Sequence, residues 1–203
     1  GFSYNVVTHP GDLDDDATSN RSSQGSLRQF ITNANEISGA NTMRFVPSVV
    51  SNASGSGGNW WSVTLNSELP VITDPLTTIG GTAYFYNAPK SVRDTNTGNA
   101  GTNGTVGIDN ISLPAFPRKE FEINLNDVGS NALNVNSSGA YTIRNVAVYN
   151  GTNGIRITAS NNGVIEKNFI GTRADGTDPS GANRLDTGIL FDGGSAVNPT
   201  IQQ

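Results

Sequence analysis

The chain reads as an all-β protein: a right-handed parallel β-helix, a solenoid of ~22-residue coils, with an N-terminal α-helical cap. Three observations predict this. Apolar positions recur at one fixed step, which separates Ile143 from Ile165, Val148 from Ile170, and Val135 from Ile157. The composition, with 34% hydrophobic residues, 24 Gly and 26 Asn among 203, suits a narrow interior with many tight turns better than it suits an α/β enzyme. Only one stretch, "QGSLRQFITNANEISGANTMRFVP" at residues 24–47, carries helical spacing. A β-sandwich also repeats its turn signals, but its hairpins do not return the same apolar position at every such step.

The elements follow in order. "SYNVVT" at residues 3–8 alternates well enough for a first strand, and a long polar loop follows. Ser26 is placed to N-cap a helix, with Gln29 reaching back as the third helical residue of a capping box. Leu27, Phe30, Ile31 and Ala34 then form one apolar stripe, and Gly39 supplies a left-handed stop. The expected helix, 26–38, has one face to cover. A solenoid exposes unpaired backbone and an open interior at its first coil, so this helix reads as a lid. "TMRFVP" is a strand ended by Pro47, "SNASGSGGN" at 51–59 reads as a flexible loop, and strand alternation resumes in "WWSVTLNSELPVIT". Residues 87–107 hold many turn formers and few apolar groups, which predicts a long protruding loop. From residue 120 short strands alternate with Gly, Asn and Ser, and "GIRI" at 154 returns as "GILF" at 188, displaced by the insertion "TRADGTDPSGANRLD". Ile201 should continue the column of Ile143 and Ile165. The expected organisation is a single domain, 1–203: strand and helix cap (1–47), first coils with long loops (48–119) and regular coils (120–203).

The net charge of −5 and the absence of a basic cluster argue against nucleic-acid binding. There is no Cys, and no apolar run nears the ~20 residues of a membrane helix. The chain opens on Gly1 without the basic start and apolar centre of a signal peptide, and "GGSAVNPTIQQ" stops as another strand begins. The expectation is a processed product or fragment, or a homo-oligomer or filament joined through the chain ends by strand addition.

Three segments resemble bacterial extracellular right-handed parallel β-helix proteins. "GSLRQFITNANEISGANTMRFVP" is similar to their N-terminal CSLREA/GSLRQA-type capping motif followed by N-x-x-G-x-D-T-I-x-F, with Gly25 in place of Cys, Phe30 of Ala and Asn41 of Asp. "SELPVITDPLTTIGGT" and "EKNFIGTRADGTDPSGAN" resemble two further motifs of that group, in the same order. The resemblance covers most of the chain and is weakest over 85–120. It implies the fold, and an extracellular or cell-surface location; it is poorly specific for activity, because such coils serve adhesins, surface fibres and carbohydrate-active enzymes alike.

Several residue sets are candidates for chemistry. Asp12, Asp14 and Asp16 have the D-x-D-x-D spacing of an oxygen-ligand calcium loop, although Ala17 and Ser23 stand where an EF-hand needs Gly and Glu. Asn20, Asn52, Asn103, Asn110, Asn136 and Asn150 open Asn-x-Ser/Thr sequons, which permit glycan attachment. Trp60 and Trp61 are neighbours on a strand, so one should enter the core while the other faces outward, where it packs beneath the 51–59 loop or, if left exposed, can stack on a sugar. Outward carboxylates Asp127, Glu166, Asp186 and Asp192 do not recur on one face, His9 is the single His, and Arg144 and Glu166, one period apart, read as a surface ion pair. Asn168 aligns with the interior position of Val146 and should bond the backbone at a turn or stack with an Asn of the next coil. The expected function is a non-catalytic, secreted structural or adhesive module. The alternatives are a polysaccharide lyase or glycoside hydrolase of the β-helix type, or a module binding a surface polysaccharide.

Overall fold

The computed structural model describes residues 4–13, 25–55, 57–101 and 104–202. It is all-β with one α-helix. Strand β1 (Val6–Val7) pairs in parallel with β2 (Arg44–Phe45), and between them runs α1 (Leu27–Glu36). The helix starts as local sequence dictates: Ser26 Oγ accepts from the Gln29 backbone N–H at 3.0 Å. The Gln29 side chain also runs along the helix, donating to Asn33 Oδ1 at 2.9 Å. Leu27, Phe30, Ile31 and Ala34 are all buried in the main apolar core. At about 1.5–3 kcal/mol for each of the three large side chains, that face holds the helix down. Its far end is finished by Asn41, whose Nδ2 approaches the carbonyls of Ile37 (2.6 Å) and Gly39 (3.0 Å) and the Asp74 carboxylate (2.9 Å).

The rest is organised by three parallel sheets. In the first, β4 (Gly58–Thr64) is followed by β10 (Phe121–Asn124), β13 (Val146–Tyr149) and β16 (Phe169–Ile170). A hairpin strand, β3 (Ala53–Gly55), runs antiparallel to β4, so much of the segment expected to be a flexible loop is instead paired strand. The second sheet holds β11 (Asn131–Asn136), β14 (Gly151–Asn161) and β17 (Leu185–Val197); the third holds β5 (Thr77–Gly80), β12 (Tyr141–Arg144), β15 (Val164–Glu166) and β18 (Thr200–Gln202). From β10 to β18 the chain visits the sheets in the same order three times. Every spacing read in the sequence is a cross-strand partner: Ile143 pairs Ile165 and Ile165 pairs Ile201, Val148 pairs Ile170, Val135 pairs Ile157, and Ile155 and Ile157 pair Ile189 and Phe191. Ile79 heads the isoleucine column opposite Ile143. Inward residues of the sheets join α1 in one continuous apolar core.

Between β5 and β10 lies a long excursion, residues 81–120. Within it, the long protruding loop expected over 87–107 carries short paired strands. Two short antiparallel pairs brace it: β6 (Asn99–Ala100) with β9 (Phe116–Pro117), and β7 (Thr105–Val106) with β8 (Ile111–Ser112).

The two tryptophans take opposite faces as expected, and Trp60 packs against Ala53 of the 51–59 segment; only the stacking alternative needs correction. Trp61 enters the core, edge-on to Phe45 at 5.5 Å, and Trp60 occupies the opposite face of the same sheet, as alternation requires. Trp60 is nevertheless 1% exposed, because the insertion after β16 folds back over it. Trp60, Ala147 and Ala174 form a second apolar cluster, against which Ala53 and Phe169 pack. Neither Trp is a stacking platform for a ligand.

Candidate functional site

The site is built at a corner of the chain path. Where β12 passes into β13, the turn is the single residue Asn145, held at φ 56°. Asn tolerates this left-handed region because its short amide bonds locally; here Nδ2 donates to Thr82 Oγ1 at 3.0 Å. The next corner, between β15 and β16, uses Lys167 at φ 55° and then Asn168. Asn168 behaves as its alignment with Val146 predicts: it accepts from the Val146 N–H (3.1 Å) and donates to the Ile143 carbonyl (2.8 Å). The preceding corner starts at Gly81, where a Cβ would collide with the carbonyl oxygen of Asn145. There the chain leaves on the 81–120 excursion.

A cleft of about 500 Å³ lies between the stacked corners and the excursion, within the ~300–1,000 Å³ of small-molecule sites. Gly81, Asn145, Lys167 and Asn168 line the corner side; Val92, Phe116 and Pro117 supply apolar walls on the other. Charged groups converge on it. Lys119 is buried, with Nζ donating to the Pro117 carbonyl at 2.8 Å and resting 4.3 Å from the centroid of the Phe169 ring. Burial, with Lys167 nearby, pulls its pKa down to about 8. Glu120 is buried too, and its pKa is raised, chiefly by burial and further by Asp94, against the lowering effect of its hydrogen bonds. Its carboxylate accepts from the backbone N–H groups of Thr95 and Asn96, both at 2.8 Å, and from the Thr95 hydroxyl at 2.6 Å. It thereby pins the excursion to the start of β10.

The candidates read from sequence lie elsewhere. Asp12 is buried, accepting from Arg28 Nε (2.8 Å) and Nη2 (2.9 Å) and from the Asn66 backbone N–H (2.7 Å). Its carboxylate is thus engaged in tying the 10–13 segment, α1 and the 66–69 turn together. Asp14 and Asp16 lie outside the described residues. Among the described residues no group of three or more Asp, Glu or His is placed to hold a metal ion. Of the sequons, Asn20 and Asn103 lie outside the described residues, and Asn110 and Asn136 are exposed. Asn52 uses its amide on both backbone groups of Ser62, and Asn150 donates to Asn124 Oδ1 at 2.7 Å. Glu166 and Asp192 sit in ion pairs with Arg144 (4.0 Å) and Arg156 (2.7 Å), and neither, like exposed Asp127 and Asp186, lines the cleft.

Lys119, Glu120, Phe116 and Asp94 escaped sequence reasoning because they belong to the excursion, where no periodicity exists. Lys167 had a signal. It stands one full period after Asn145, so the repeat itself puts a lysine at a tight-corner position where Asn is the natural choice.

Comparisons with protein-family models, curated proteins and solved structures return no match.

Proposed function

We propose that this chain is a right-handed parallel β-helix of the extracellular type, and that it is an adhesive module binding a surface glycan in the corner cleft. The coil reading is supported by the threefold return of the chain through the same sheets at the predicted register, together with the near-universal right hand of parallel crossovers. The lid role of α1 is supported by its buried apolar face. Extracellular placement rests on the resemblance of the capping motif and the two later segments.

One observation carries binding over chemistry. The buried acid of the cleft, Glu120, has three donors on its carboxylate, and general acid–base work needs a carboxyl free to exchange its proton with substrate. Glycan-array binding that is lost on Phe116→Ala while the fold persists supports the reading; no retention of any glycan by the folded protein overturns it.

The lowered pKa of Lys119 favours a second reading, a polysaccharide lyase in which that amine abstracts a proton. Appearance of unsaturated products from acidic polysaccharides would select it.

A further inference from the structure

Positive charge is in excess in the cleft, where Arg93, Arg118, Lys119 and Lys167 face two carboxylates, Asp94 and Glu120. Five arginines, at 28, 144, 156, 173 and 184, each stand in an ion pair with an Asp or Glu. No such pair among the described residues includes the cleft's Arg93, Arg118, Lys119 or Lys167. The two ammonium groups lie near enough for Lys167 to depress Lys119, so they repel each other. Asp94 and Glu120, both in the lining, likewise repel each other. The cleft therefore holds more cations than carboxylates, with Val92, Phe116 and Pro117 among the walls.

Both lysines are poor choices for stability. Lys119 is 4% exposed, and a desolvated ammonium with only a carbonyl and a ring face as partners is costly. Its three N–H donors exceed what Pro117 and Phe169 take up. Lys167 adopts a left-handed backbone at a corner whose counterpart one repeat earlier is Asn145. A strained backbone kept at the rim of a cleft points to a task for the side chain it carries.

We propose that the cleft takes a carboxylate-bearing oligosaccharide, a uronate chain, with its carboxylate between Lys119 and Lys167. This rests on the adhesive reading of the same cleft. A carboxylate supplies the missing counter-ion through charge-assisted hydrogen bonds. Sugar C–H faces suit the apolar wall at Phe116, and sugar hydroxyls donate to exposed Asp94.

The test uses the full chain, titrated with oligogalacturonate, with the matching neutral oligogalactose and with inorganic phosphate, for the native sequence and for Lys167→Asn and Lys119→Met. Oligogalacturonate should bind, more weakly as salt rises, and each substitution should weaken it roughly tenfold or more, the scale of one charge-assisted hydrogen bond. Both substitutions should raise the melting temperature, so lost binding cannot be ascribed to unfolding. Equal binding of the neutral sugar, undiminished in the lysine variants, overturns the anionic assignment and leaves the adhesive cleft standing. Phosphate competing as well as the uronate overturns the carboxylate sugar in favour of a phosphate ligand. No binding of any sugar overturns both readings.

Discussion

Trp60 and Trp61 are neighbours on β4, equally closed to solvent, and closed by different things. Trp61 faces the interior, where partners arrive by register: Phe121 pairs with it across the strand and Val146 pairs with Phe121. Trp60 faces outward, and its cover is the 171–180 insertion. There Glu122, fully buried on the outer face of β10, accepts from the Ala174 N–H at 2.8 Å and from Arg173 at 3.3 Å, and the Arg173 guanidinium lies 5.4 Å from the Trp60 ring. Tyr149 completes the patch, its pKa raised by burial and by Glu122 beside it. The inner layer is mostly apolar, with the Arg93 guanidinium 4.7 Å from the Trp61 ring, while the outer layer is one loop fastened by a buried charge. The first should fail globally and the second locally.

Truncating the inner residue should have the largest effect. Trp61→Ala should cost about 3–5 kcal/mol, read as a lower denaturant midpoint for the whole chain, with Ile143→Ala close behind at about 2–5 kcal/mol. Trp60→Ala should shift the global midpoint less and instead expose the 171–180 segment, detected as faster limited proteolysis and amide exchange there. Equal global losses for the two tryptophans would erase the distinction between layers.

Glu122→Gln sharpens the comparison at the fastening point. It removes the charge facing Arg173, whose side chain is about one-third exposed, and should cost about 1–3 kcal/mol, with exchange rising first around Ala174. Arg144→Ala, which breaks the 4.0 Å surface pair with Glu166, should stay within about 0.5 kcal/mol of the native chain.

The pH dependence separates the cleft from the core. Folded Lys119 loses its proton near pH 8 and the unfolded one near 10.5. Between those values the unfolded chain binds more protons, so this group makes stability rise with pH. Tyr141, buried and pushed up to about 12 from 10.0, acts oppositely, since above pH 10 the folded chain keeps a proton that the unfolded chain loses. Denaturation midpoints should therefore show an alkaline rise that Lys119→Met flattens, followed by a fall that it does not touch.

How much was legible follows from the same division. The repeating isoleucine column was readable because parallel pairing puts identical offsets face to face, and an apolar interior selects Ile at 79, 143 and 165; Ile201 keeps the register but is 57% exposed and not the interior member expected. The helix was readable because its cap and stripe are local, and the roles of Asn168 and of Arg144 with Glu166 followed from the repeat. The 53–60 hairpin was misread, because "SGSGGN" looks like loop when its cross-strand partners cannot be seen. The cover on Trp60 was legible only in part, its packing against the 51–59 segment but not the insertion after β16: alternation states which face a side chain takes, and is silent on what later folds over that face.

By itself, then, the sequence determined the strand period, the interior columns, the helix and its buried stripe, because each depends on residues at fixed, short or repeating separations. Only the tertiary structure decided the rest. It turned Asp12 into the buried partner of Arg28, laid an insertion over Trp60, and brought Lys119 of the excursion and Lys167 of a much later corner into one cleft. Those contacts join segments with no common period, and their existence depends on how three-dimensional space is filled once the repeating core has formed.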